Sequence, residues 1–248
     1  MSCLDIKWFI ALLGLIVFTN ANAFSRVPDV PEDMPKWRVG YAMSTLYPAK
    51  VLRAYGNNEQ LGWTSFLHND QQYLYRSKFE YIKKSYPNYD GYGMVLGAPI
   101  GYSRQVSGTN NLPDSITIYW ASISNAKSYV TLLELPNNLK KQMSTKRKYI
   151  TWDNVELDCY KVTIVFGFLP NGNTKVWLYG CGEYNFITEL APAEELDADT
   201  FGNDAEIYRI NYGKRMAERA KQLGATLDPI PWDKVNKVYC NDEITQLE

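Results

Sequence analysis

Two stretches of the chain alternate apolar and polar positions with the two-residue period of an extended strand. In SITIYWASISNAKSYVTLLELP, residues 115–136, the first run puts Ile116, Ile118 and Trp120 on one face, and a turn at Ser124-Asn125-Ala126 separates it from a second run. In CYKVTIVFGFLPNGNTKVWLYGC, residues 159–181, Tyr160, Val162, Ile164, Phe166 and Phe168 form an apolar face opposite Lys161 and Thr163. Asn171-Gly172 is a strong hairpin cue, because both residues tolerate positive φ. With these two as the turn, Val162 faces Cys181 and Ile164 faces Tyr179. WRVGYAMSTL, from Trp37, is rich enough in aromatic and β-branched residues to predict a first strand. Residues 60–86 mix strand-like aromatics with a charged, helix-like stretch, and PNNLKKQM predicts a short surface helix.

Helical periodicity is sustained only in NDAEIYRINYGKRMAERAKQLG, residues 203–224. Asn203 or Asp204 can cap it, basic residues fill its later turns, and Gly224 ends it. Ile207, Ile210, Gly213, Ala217 and Ala220 fall on one face, which predicts packing onto the sheet. The class expected is α+β: a mainly antiparallel β-sheet with hairpins and one long C-terminal helix packed on it.

The N-terminus has a different pattern. One lysine, Lys7, precedes an apolar run from Trp8 to Phe18, too short for the roughly 20 residues of a membrane-spanning helix. Ala21-Asn22-Ala23 then fits a signal-peptidase site, so residues 1–23 are expected to be a signal peptide and Phe24 the start of the mature chain. Cys3 precedes the apolar run and cannot serve as a lipoprotein cysteine. The expected location is the periplasm, with no stable transmembrane segment after processing. Residues 24–36, with three prolines, predict an extended leader, and 37–248 a single β-rich domain.

Processing removes one acidic and one basic residue, leaving one excess acidic charge. That balance argues against nucleic acid, whose phosphates call for surplus lysine and arginine. His68, in TSFLHNDQQ, is the only histidine, so a serine or cysteine triad would have to use it. Gly101-Tyr102-Ser103-Arg104-Gln105 lacks the closing glycine of a nucleophile elbow. Zinc chemistry lacks clustered ligands, and Asp197-Ala198-Asp199-Thr200-Phe201-Gly202 departs from a calcium loop at Phe201 and Tyr208. No catalytic residue, metal or cofactor is assigned, and the expectation is a protein that binds without transforming.

Contact chemistry is carried by YPNYDGYG, where Tyr86, Tyr89 and Tyr92 are the candidate partner-contact residues. Three cysteines follow the leader. In the register above, Cys159 and Cys181 point to opposite faces, which disfavours a bridge between them. Cys240 can reach either; Cys181–Cys240 is the candidate disulfide, with free thiols as the alternative.

The succession LPDSITIYWASISNAKSYVTLLELPNNLKKQM, VTIVFGFLPNGNTKVWLYGCG and PWDKVNKVY, preceded by WRVGYAMSTLYP, resembles the domain of unknown function family 2931 over most of the mature chain. The resemblance implies a β-rich envelope protein of Gram-negative bacteria, often a lipoprotein, with no established enzymatic activity. Some members resemble immunity proteins carried beside type VI secreted phospholipases. The function expected is therefore an exported non-enzymatic binding protein whose partner is a secreted effector. The alternative is a periplasmic structural module, or one holding a glycan or lipid between sheet and helix. The partner's identity and the oligomeric state are not set by the sequence.

Overall fold

A computed structural model describes residues 30–67, 76–97, 101–106, 108–199 and 202–246. His68 and the segment 1–23 lie outside these residues. The strands are β1 (Arg38–Met43), β2 (Ala49–Asn58), β3 (Trp63–Phe66), β4 (Met94–Val95), β5 (Gly101–Ser103), β6 (Ser115–Ser122) and β7 (Lys127–Glu134). They continue with β8 (Arg147–Ile150), β9 (Glu156–Cys159), β10 (Thr163–Phe168), β11 (Thr174–Gly180), β12 (Glu183–Leu190), β13 (Glu194–Leu196), β14 (Val238–Tyr239) and β15 (Glu243–Gln246). The helices are α1 (Arg76–Ser85), α2 (Asn137–Ser144), α3 (Glu206–Gln222) and α4 (Trp232–Val235). The expected α+β class is observed, with about twice as many strand as helix residues among those described.

Two sheets make the body. One has the order β15-β12-β11-β10-β1-β5, and the other β13-β7-β6-β2-β3. The second is antiparallel throughout, whereas the first includes parallel pairs, β1 with β10 and β12 with β15. The main core lies where their apolar faces meet: Ile116, Ile118 and Trp120 from β6 against Ile164, Phe166 and Phe168 from β10. Trp120 is its hub, with its ring 4.6 Å from Phe168 and 5.0 Å from Tyr129. Its indole N–H donates to Thr131 at 3.0 Å, so the ring is buried without stranding its polar atom. β10 is buried along its whole length because Val165, on its other face, enters a second cluster with Trp177, Tyr92, Met94 and Ala220. The described part of the leader, 30–36, is docked: Met34 is buried in the main core and Val30 packs against it. α2 is likewise more than a surface helix, since Leu139 and Met143 are core residues.

The β10–β11 hairpin departs from the predicted register by one residue. Leu169 and Asn173 close a three-residue loop, Pro170-Asn171-Gly172, with Leu169 N–H donating to Asn173 at 2.9 Å and Gly172 N–H to Leu169 at 3.1 Å. Only Gly172 takes positive φ, 93°. Ile164 therefore faces Leu178, and Tyr179 faces Thr163. Because side chains alternate, this single step moves every β11 residue to the opposite face relative to β10.

The cysteine expectation changes with it. Cys159 and Cys181 are joined by a disulfide, with Cα atoms 5.6 Å apart, and Cys240 is the free thiol among the described residues; the predicted Cys181–Cys240 pair does not form. Cys181 lies beyond the strand, in a two-residue turn with Gly182 in which both have positive φ, 55° and 75°.

A second correction concerns the rotation of α3. Its buried residues are Tyr208, Met216 and Ala220, whereas Ile207 and Ile210 are exposed. Of the predicted stripe only Ala220 is core. The approach to the helix is polar, as expected: Asp199 accepts from the Tyr208 hydroxyl and from the Asn203 amide at 2.8 Å. Asp204 accepts from the Glu206 amide at 2.8 Å, without being the N-cap residue.

Candidate partner-binding surface

β8 and β9 pair only with each other and form a separate two-stranded sheet. Such a ribbon is marginal alone, and the chain fastens it at the root. The Cys159–Cys181 bridge joins the end of β9 to the β11–β12 turn. The Tyr149 ring lies so close over that turn that a Cβ on Gly182 would come within 2.4 Å of it. Lys146 pairs with Asp33 of the leader, whose other carboxylate oxygen accepts from the Tyr160 hydroxyl at 2.7 Å. Along the ribbon, Lys148 bridges Glu156 at 3.1 Å and Asp158 at 2.9 Å. These contacts hold the Asp33 and Asp158 carboxyls below their usual range: Lys146 and Tyr160 act on Asp33, and Lys148 acts on Asp158.

The tip is built as firmly as the root. Thr151 N–H donates to Val155 at 2.9 Å, Asn154 N–H donates to Thr151 at 2.9 Å, and the Thr151 hydroxyl pairs with Asp153. Asn154 takes the positive φ, 61°, that asparagine tolerates better than most residues. This closed turn presents Trp152 with 93% of its surface exposed. Ile150, 65% exposed, follows on one face of the ribbon, and the exposed Val155 and Leu157 on the other. Single exposed apolar residues are ordinary; four on one fastened ribbon, led by a tryptophan, make it the candidate contact surface.

A polar recess of about 480 Å³ lies at the root, lined by Lys141, Arg147, Lys161, Glu183, Asn185 and Thr245 among others. Lys161 is 2% exposed, and its ammonium donates to Glu183 and, at 2.6 Å, to Asn185. The buried charge is thus paired and hydrogen-bonded, as burial demands.

The tyrosines predicted to make partner contacts are placed elsewhere. Tyr89 and Tyr92 are buried. The Tyr89 hydroxyl donates to Gly93 at 3.0 Å and accepts from the Thr45 amide at 3.2 Å, and burial raises its phenol to about 12. Tyr92 clamps the chain after α3, donating to Thr226 at 2.8 Å and accepting its amide at 2.7 Å. Tyr86 is half-buried against Tyr239, ring centres 5.7 Å apart. The cluster YPNYDGYG folds inward because each ring finds apolar cover and the two buried hydroxyls find partners. Sequence reasoning missed the β8–β9 ribbon; TWDN, a tryptophan among turn residues, was the available signal.

No described helix is long and apolar enough to cross a membrane. Searches of curated proteins and of solved structures return no match. A family model, described as Protein of unknown function (DUF2931), matches residues 24–233, taking in β1 to β13, the ribbon among them, and α3. The chain belongs to that family.

Proposed function

We propose that the chain is an exported, non-enzymatic binding protein of the bacterial envelope that seats the tip of its β8–β9 ribbon in a concavity of a protein partner. The observation carrying this reading is the 93% exposed Trp152 on a turn closed by its own hydrogen bonds and a ribbon fastened by a disulfide. Tryptophan is the residue most enriched at binding hot spots, and a pre-ordered tip loses little entropy on docking. The Cys159–Cys181 bridge supports export, since such bonds persist in oxidising compartments. Within this reading the partner is a secreted effector, a phospholipase or similar enzyme, whose active-site mouth the ribbon occludes without a covalent step.

Co-expression tests it. The product of the gene adjacent to this one is directed to the periplasm, with and without the wild-type chain or Trp152→Ala. The wild type is expected to restore growth, and the variant, at equal abundance and equal thermal stability, is expected not to. Rescue by Trp152→Ala equal to the wild type would remove the ribbon from the mechanism, and failure of the wild type to rescue would remove the immunity role.

A further inference from the structure

Ile210 and Gly213, from the apolar stripe predicted on α3, stand with Arg209, Lys214 and Met216 on one wall of a groove of about 600 Å³. Leu46, Ile123, Ile210, Met216, Leu227 and Ile230 make its lining mainly apolar, and the volume is that of a small-molecule site. Ile210, 69% exposed, contributes a side chain that the core does not use.

Gly213, one turn further along α3, is the informative residue. Glycine within a helix is unfavourable relative to alanine. A Cβ built at Gly213 would meet only the Cγ of Arg209, at 3.2 Å, on the stem of an exposed and flexible side chain. Packing among the described residues therefore does not call for glycine there. What the missing side chain provides is depth in the groove and bare backbone for an occupant to approach.

Charge narrows the occupant. Arg209 and Lys214 stand at opposite margins of the helical wall, against Asp228 on the other side, so the lining is net positive. Arg209 is shared with Glu206, while Lys214 has no ion-pair partner among the described residues. Tyr47 is the one aromatic residue among the described lining, and at 3% exposed, with its hydroxyl donating to Leu227 at 2.7 Å, it offers no open ring face. The groove thus lacks the aromatic platform a sugar would stack on.

We propose that this groove binds a small amphiphile with one apolar chain and an anionic head group. The chain lies along Ile210 and Gly213, and Lys214 and Arg209 hold the head. The groove shares no lining residue with the β8–β9 ribbon, so the two sites stand or fall separately.

Titration calorimetry of the purified protein with myristate and with tetradecanol, the same chain without charge, tests the assignment. Myristate is expected to bind saturably, one per chain, and at least tenfold more tightly than tetradecanol. The double variant Arg209→Gln with Lys214→Gln is expected to abolish that difference. Gly213→Leu is expected to weaken myristate at least tenfold with no fall in Tm, and Ile210→Glu, at an exposed position, to do the same. Absence of saturable binding, equal affinity for the two probes, or wild-type affinity in both wall variants would overturn the proposal. So would binding of an acidic amphipathic peptide where myristate fails, which would assign the groove to a protein segment.

Discussion

At the scale of single residues, Trp152 lets the proposed binding be tested apart from folding. With 93% of its surface exposed, its indole contributes little to stability. Trp152→Ala is expected to change the unfolding free energy by less than about 0.5 kcal/mol in urea denaturation. The same change is expected to weaken the partner complex by about 2 kcal/mol or more, read by titration. Lys161 behaves in the opposite way. Glu183→Ala leaves its buried ammonium with Asn185 as its hydrogen-bond partner among the described residues, and should destabilise by about 3 kcal/mol. Lys161→Met, which removes the charge and keeps the stem, should be close to neutral. A large loss on Lys161→Met with none on Glu183→Ala would contradict this account of the buried pair.

At the scale of elements, the β10–β11 turn sets more than its own conformation. Gly172 combines a φ of 93° with a Tyr129 ring that would lie 2.7 Å from an added Cβ. Gly172→Ala should therefore lose about 1–3 kcal/mol of stability, measured by chemical denaturation. The three-residue loop also decides which faces β10 and β11 share, and with that which cysteines can meet. Cys159→Ser should cost roughly 3 kcal/mol, the value expected for a bridge closing a loop of this order, 22 residues apart. Alkylation of the unreduced protein should label Cys240 but neither Cys159 nor Cys181. In α3, the sequence repeats apolar residues on two adjoining stripes. The one carrying Tyr208, Met216 and Ala220 is buried because larger and better-placed side chains meet the sheets there.

At the scale of the whole molecule, Asp114 ties the start of β6 to two other elements. It accepts from the Glu59 amide at 2.7 Å, beyond β2, and pairs with Lys140 of α2, itself largely buried. Burial alone would raise its carboxyl, but Lys140 and the Glu59 amide together outweigh that and hold it below the usual range. A carboxyl lowered in the folded state contributes stability at pH values above its unfolded pKa, and loses it as pH falls through the folded value. Stability is therefore expected to decline below about pH 4 and Asp114→Asn to flatten that slope, both followed by denaturation midpoints across pH. An unchanged slope in the variant would mean that Asp114 does not carry the acid response.

The strand faces of β6 and β10, the α+β class and the family were legible from the chain alone. Alternation is a local property, and an apolar face must be covered by something whatever the topology. The Cys159–Cys181 pairing, the rotation of α3, the inward tyrosines and the bare β8–β9 ribbon were decided by tertiary structure. Each depends on which of several chemically equivalent surfaces finds a partner. Period and composition are the same for an apolar stripe that is covered and one that is left open, and only packing distinguishes them.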